Sequence, residues 1–353
     1  MVCLNISPRV ALVDERISIT ANNLRPLQRV TVQAWVEEGK AVFSSCGHFL
    51  ADQQGQIHVS QHNSVGGTYK GVDNMGLFWS MNPVPGVSLQ PILRKVDVMT
   101  PLVFRLSVMD DHIPFDDLQL PSSVVLATGE LQRCYKHRTV RRIEVHVGSL
   151  RGTIFLPEGK GPFPGVLDMF GSTGGLVEFR AALLASRGFV SFALAYFNYD
   201  DLPSSLADVD FDYLLDAVHW LASHPHVKPG GIGVVGSSKG GEMAFLLGMA
   251  TDKAWKNNAQ ILYLLGDDDA VWNTDHANTF VRSCPEEKRK NINLVTYPGG
   301  GHLIEPPYMP LYRAMYHPLL GSMVVMGGHP EAHAAAQEDA WRRLLHFIQK
   351  HVA

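Results

Sequence analysis

Gly236-Ser237-Ser238-Lys239-Gly240 lies between a short apolar run, Gly231-Ile232-Gly233-Val234-Val235, and a helix-forming run that starts at Gly241-Glu242-Met243. A G-x-S-x-G at such a junction is the pattern of a nucleophile elbow. Its glycines let strand and helix approach closely while Ser238 Oγ points up from the sheet edge. The next backbone N–H, that of Lys239, would face a reacting carbonyl, and the Lys239 side chain is expected to be solvated. A Gly/Ser turn without chemistry fits the same residues, so the assignment depends on partners downstream.

A serine nucleophile needs a base, and the base needs an orienting acid, in the chain order Ser, Asp/Glu, His. Ile261-Leu262-Tyr263-Leu264-Leu265 is an apolar strand ending in Gly266-Asp267-Asp268-Asp269, and Ile292–Tyr297 runs into Pro298-Gly299-Gly300-Gly301-His302. Both ends fall past strand C-termini, where open α/β sheets place ligands. Any one of the 16 histidines is by default a surface or structural residue. His302 stands apart because a strand delivers it through a run of glycines that frees the backbone. The acid is one of Asp267, Asp268 and Asp269, with the others capping loops or helices.

A second oxyanion donor is expected after the third strand. There Pro164–Phe170 opens into Gly171-Ser172-Thr173-Gly174-Gly175, and a helix is predicted over Leu176–Arg187, stopped by Gly188. The loop lacks the phosphate-binding spacings G-x-x-x-x-G-K-[ST] and G-x-G-x-x-G. That favours oxyanion donation by the backbone of Gly171 or Ser172. Asp168, inside the strand, reads as a structural hydrogen-bond partner.

Two regions must position these groups. Residues 1–135 alternate apolar and polar with period two, as in Val30–Val36, Ile57–Val59 and Leu102–Val108, with turn-formers between. That is the pattern of an antiparallel β-sandwich. Over 136–353 strands and helices alternate, which predicts a mostly parallel sheet flanked by helices, the α/β hydrolase fold. Phe211, Leu214, Leu215, Val218 and Leu221 form one helical core stripe, and Trp341, Leu344, Leu345 and Ile348 another. The basic run Lys136-His137-Arg138 with Arg141-Arg142 reads as a solvated linker.

Composition narrows the function classes. A chain of 353 residues with 46% hydrophobic and 18% charged content suits two globular domains. A net charge of -4 gives no reason to expect nucleic-acid binding. Cys3, Cys46, Cys134 and Cys284 are scattered and form no C-x-x-C pair, so neither a disulfide framework nor a zinc or other metal site is expected. No cofactor is called for. No apolar run reaches membrane-spanning length. A reducing, cytoplasmic setting is the expectation, and Lys350-His351-Val352-Ala353 is not an S-K-L-type peroxisomal address. The oligomeric state is not readable.

Longer segments carry a resemblance. Phe163–Gly175 (FPGVLDMFGSTGG), Ala195–Pro203 (AYFNYDDLP), the GSSKGGE elbow, Tyr297–Tyr308 (YPGGGHLIEPPY), Ala334-Ala335-Ala336-Gln337 and Gly76-Leu77-Phe78-Trp79 are similar to the acyl-CoA thioesterase and bile acid-CoA:amino acid N-acyltransferase family. The resemblance implies Ser238 at the nucleophile position, His302 at the base position and, aligned on the glycine, Asp269 as the acid. It implies acyl-coenzyme A thioesters as substrates. Hydrolysis is the expected outcome with a serine, because an oxygen-ester acyl-enzyme is less prone to aminolysis than a cysteine thioester. The alternative is acyl transfer to glycine or taurine.

One departure stands out. The family carries a longer segment between the elbow helix and the acid strand, whereas Thr251–Trp255 joins them here almost directly. A full hydrolase sheet would add a strand and helix at roughly 10–12 residues or more per crossover. The sheet is therefore expected to be one strand short between 250 and 260, with a lid or acyl-pocket element absent. Either the acid strand pairs beside the elbow strand and the triad closes, or the shortened form only binds.

Overall fold

The computed structural model describes residues 1–89, 91–121, 123–250, 259–284, 286–317 and 321–352. The chain forms two compact units. The first takes Met1–Cys134 together with Glu305–Met315 and His329–Glu338, and the second takes Tyr135–Ile304, Tyr316–Gly328 and Asp339–Ala353.

In the first unit the strands are β1 (Cys3–Ser7), β2 (Val10–Leu12), β3 (Ser18–Asn22), β4 (Arg29–Glu38), β5 (Ala41–Leu50), β6 (Ile57–His58), β7 (Gly66–Gly67), β8 (Asn82–Pro83), β9 (Leu102–Asp110) and β10 (Val125–Cys134), with a one-turn helix α1 (Gly76–Trp79). They form a three-stranded sheet, β1-β3-β6, and a seven-stranded sheet, β2-β10-β9-β4-β5-β7 with β8 on β5. Pairing is antiparallel apart from β2–β10. The period-two pattern buries Leu102, Phe104, Leu106 and Val108 on one face of β9. Ile6 of the small sheet packs so closely on Gly129 of the large one that a Cβ there would come within 2.8 Å of Ile6 Cδ1.

A linear cut at residue 135 misses two segments that return to this unit. Tyr312 donates its hydroxyl to Leu93 O at 2.8 Å, 219 positions away. Arg16 donates to Tyr308 Oη at 3.2 Å and to Glu338 at 2.7 Å. The Arg133 guanidinium stands 5.2 Å from the centre of the Phe78 ring and 6.0 Å from that of Tyr308. Contacts at such separations leave no local pattern in the chain.

The second unit is built on β11 (Arg141–Val147), β12 (Leu150–Leu156), β13 (Phe163–Met169), β14 (Val190–Ala195) and β15 (Val227–Gly236), ordered β11-β12-β14-β13-β15. β12 is antiparallel to both neighbours, and β13 is parallel to both of its own. That order and polarity are those of an α/β hydrolase sheet up to the nucleophile strand. Helices α2 (Phe179–Ser186), α3 (Phe211–Ala222) and α4 (Lys239–Ala250) connect the strands. Leu214 and Leu221 of α3 are fully buried with Phe192 and Leu167, and Phe211, Leu215 and Val218 pack at the margin. The helix predicted from Leu176 starts only at Phe179, because the chain before it is spent on a loop with Gly174 and Gly175 at φ 65° and 79°. The basic run is likewise not a free linker. β11 already begins at Arg141, and Arg142 bonds Glu178 at 2.8 Å and Glu144 at 3.0 Å.

Beyond α4 come β16 (Ile261–Gly266), α5 (Asp275–Ser283), α6 (Glu286–Arg289), β17 (Ile292–Tyr297), β18 (Ala314–His317), β19 (Ser322–Val325) and α7 (Pro330–Val352). β16 pairs in parallel with β17, and β18 and β19 form a two-stranded sheet of their own. The expected shortening between 250 and 260 falls largely on residues 251–258, which lie outside the described residues. Among the described residues β16 does not pair with β15, contrary to the direct pairing considered above. Ile232–Gly236 of β15 are accordingly half-buried, whereas Gly165–Met169 of β13 and all of β14 are buried. No helix among the described residues is long and apolar enough to cross a membrane.

A buried ion pair locks the elbow strand's neighbour to its helix. Arg180 of α2 donates Nε–H to Asp168 Oδ1 of β13 at 2.6 Å and Nη2–H to Met169 O at 3.0 Å. It also donates to Ser237 Oγ, beside Ser238. Burial pushes the Asp168 carboxyl up, and the guanidinium opposes that shift. Arg180→Met would strand a buried carboxylate and is expected to cost about 3–5 kcal/mol. Urea unfolding should show the loss, and Asp168→Leu/Arg180→Met should recover much of it.

Candidate active site

Ser238 sits between β15 and α4 with φ at 55°, a region that non-glycine residues rarely occupy. The crossing that imposes it is tight. A Cβ on Gly236 would lie 2.0 Å from Gly240 O, and one on Gly240 would lie 2.2 Å from Phe170 O and 2.5 Å from Met169 O. These obstacles are backbone, so neither position tolerates a side chain. The turn is pinned by Ser237 N–H to Met169 O at 3.2 Å and Gly241 N–H to Ser238 O at 2.9 Å. The Lys239 side chain, expected to be solvated, is part-exposed and pairs with Glu242 at 2.8 Å across one turn of α4.

The three consecutive aspartates after β16 have three separate partners. Asp267 Oδ1 accepts Gly299 N–H at 2.6 Å, and Asp268 Oδ2 accepts Gly328 N–H at 2.8 Å. Asp269 alone turns to the histidine, with Oδ2 at 2.8 Å from His302 Nδ1. Its Oδ1 accepts the N–H groups of Val271 and Trp272, each at 2.8 Å, which stops the carboxylate from rotating. His302 is held through its own N–H to Met326 O at 2.9 Å. The loops carrying acid and base touch at backbone level, since a Cβ on Gly266 would lie 2.2 Å from Gly300 O. His302 Nε2 reaches Ser238 Oγ at 2.8 Å. The carboxylate and imidazole side chains are only 10% and 6% exposed. With Nδ1–H donated to the carboxylate, Nε2 presents its lone pair to the serine hydroxyl.

The glycine-rich loop after β13 lies against the nucleophile. A Cβ on Gly171 would come within 3.0 Å of Ser238 Cβ and 3.4 Å of its Oγ. Tyr196, just after β14, donates its hydroxyl to Phe170 O at 2.5 Å and also contacts Gly171 O at 3.1 Å. Gly175 N–H reaches Phe197 O at 3.0 Å. Ser172 Oγ lies 2.7 Å from His317 Nε2. Sequence reasoning missed Tyr196, Arg180 and His317. Only Tyr196 stood inside a quoted motif, and nothing local marked its hydroxyl. Among the described residues no group of three or more His, Cys, Asp or Glu side chains is placed to hold a metal ion.

Comparison with known proteins gives the chain its family. A family profile described as Acyl-CoA thioester hydrolase/BAAT N-terminal region matches residues 14–147, and one described as BAAT / Acyl-CoA thioester hydrolase C terminal matches 209–257 and 248–353. Acyl-coenzyme A thioesterase 1 of Homo sapiens is 35% identical over 406 residues, covering 96% of this chain and 94% of that protein. Acyl-coenzyme A amino acid N-acyltransferase 1 of Mus musculus is 36% identical over 414 residues, covering 100% of this chain and 98% of that protein. An alignment of 414 residues cannot be filled by a chain of 353, so part of the relative has no counterpart here. The C-terminal match comes in two pieces that overlap at 248–257. Among solved structures, the acylaminoacyl peptidase of Pyrococcus horikoshii superposes with a TM-score of 0.43 at 12% identity, over 97% of this chain and 60% of that one. Matched in both halves, and over nearly the full length of its relatives, the chain belongs to the acyl-CoA thioester hydrolase and bile acid-CoA:amino acid N-acyltransferase family.

Proposed function

We propose that this protein hydrolyses acyl-coenzyme A thioesters to a carboxylic acid and coenzyme A, with Ser238 as nucleophile, His302 as general base and Asp269 as the acid that orients it. The observation that carries the reading is the unbroken chain Asp269 Oδ2–His302 Nδ1 and His302 Nε2–Ser238 Oγ, both links 2.8 Å.

As Ser238 Oγ attacks the thioester carbonyl, His302 Nε2 takes its proton. Asp269 stabilises the imidazolium and holds the ring. The Lys239 N–H, with an N–H from Gly171 or Ser172, receives the oxyanion. Each such donor contributes roughly 3–4 kcal/mol to the barrier reduction. Coenzyme A leaves as a thiol of pKa about 8.5, a leaving group that needs little protonation. His302 then activates water to release the acid from the ester. Acyl transfer to an amino acid is the second reading, supported by the N-acyltransferases among the relatives. An ester at Ser238 yields less readily to an amine than a thioester, which puts hydrolysis first.

Ser238→Ala should abolish turnover of a long-chain acyl-CoA and labelling by a fluorophosphonate. Asp269→Asn, by stabilising the wrong imidazole tautomer, should lower kcat by roughly 10³–10⁴-fold while the fold persists. Robust turnover by folded Ser238→Ala protein would refute the mechanism. With glycine or taurine added, free acid should remain the main product; amide as the main product would establish the transferase reading instead. Tyr196→Phe, which frees the carbonyls of Phe170 and Gly171, should lower kcat about tenfold with little change in KM.

A further inference from the structure

We propose that the Ser172 hydroxyl is an additional, side-chain donor to the oxyanion, aimed by His317. The proposal rests on the esterase-type reading of Ser238 given above. Ser172 Oγ and His317 Nε2 are 2.7 Å apart, while His317 Nδ1 is buried and has no hydrogen-bond partner. A neutral imidazole carries one N–H, and its place is decided by which nitrogen has a use for it. A hydrogen on Nδ1 would be a buried donor left unmet. A hydrogen on Nε2 is donated to Ser172 Oγ, leaving at Nδ1 only a bare lone pair. Orphaned donors are rarer than under-used acceptors, so the hydrogen belongs on Nε2.

The consequence falls on the serine. Ser172 Oγ then accepts from the imidazole, and its own hydrogen points elsewhere. Ser172 directly follows Gly171, whose Cα stands against Ser238 closely enough for a Cβ there to touch Ser238 Cβ at 3.0 Å. Tyr196 fixes the carbonyls of Phe170 and Gly171, so this stretch of loop cannot turn away. His317 comes from β18, a different element, and grips the loop at Ser172. In the proposed scheme the Ser172 hydrogen, left free by His317, is the one that turns to the atom where negative charge develops beside Gly171 and Ser238. Ser172 is a catalytic residue in this scheme, and His317 is a positioning residue acting through it.

The test uses the full chain, a long-chain acyl-CoA and an acyl trifluoromethyl ketone that mimics the tetrahedral adduct. Ser172→Ala keeps every backbone N–H. It should lower kcat by roughly 10²-fold with KM changed less than about threefold, and weaken the ketone by a similar factor. His317→Ala should lower kcat by about tenfold, and the double variant should be no slower than Ser172→Ala alone. His317→Gln, whose amide can donate to the hydroxyl, should restore most of the rate. Thermal unfolding of each variant separates these effects from loss of fold. The inference is overturned alone if the wild type turns over while folded Ser172→Ala keeps its kcat and ketone affinity, or if the two single effects multiply. Absence of both turnover and fluorophosphonate labelling in folded wild-type protein would overturn the functional reading and this inference with it.

Discussion

A 2.8 Å hydrogen bond from the Ser238 hydroxyl to His302 Nε2 spans two sheets that share no strand ladder among the described residues. The hydroxyl belongs to the five-stranded sheet, and the imidazole and carboxylate belong to the β16–β17 pair. In an unbroken sheet the spacing of such groups would follow from the ladder, each of whose bonds contributes about 0.5–1.5 kcal/mol. Here side chains supply it. Phe245 of α4 stacks edge-on to Phe280 of α5 with ring centres 4.3 Å apart, and lies 6.1 Å from Tyr263 of β16. Val352 at the end of α7 packs beside Gly233 of β15. An aromatic pair adds about 0.5–1.5 kcal/mol beyond its buried area. A few such contacts set a geometry that tolerates errors of about 1 Å only at great cost in rate.

Much of the site was legible because its logic is local. The elbow declares itself by two glycines flanking a serine, and the structure shows why: both face backbone oxygens at distances no Cβ could accept. The strand-to-loop transitions before Asp267 and His302 were equally visible. The choice among the aspartates was not, because all three carboxylates are chemically alike and differ only in which loop stands opposite. Gly299, Gly328 and His302 are those opposites, and no local pattern names them. Arg180, Tyr196 and His317 escaped for the same reason: each acts on an element distant in sequence.

The fold divides along the same line. Period-two burial announced the strands of the first unit, and the βα alternation announced the order of the sheet in the second. The boundary of α2 slipped by three residues because Gly174 and Gly175 extend the loop before it. Beyond α4 the burial pattern changes. β15 would be a central strand in a longer sheet, yet it is less buried than β13 and β14. Asp168 and Arg180 hold the opposite side of the elbow with an ion pair whose members are 4% and 8% exposed. Through Ser237, which Arg180 also holds, this pair anchors the nucleophile turn toward β13.

The first unit draws Glu305–Met315 and His329–Glu338 from the far end of the chain. During synthesis the ribosome delivers Met1–Cys134 long before those residues exist. Arg16 and the Leu93 carbonyl must wait for Tyr308, Tyr312 and Glu338 to emerge. The β-rich unit therefore gains its full set of contacts only once Glu338 has been made, after the strands of the second unit's five-stranded sheet have already emerged.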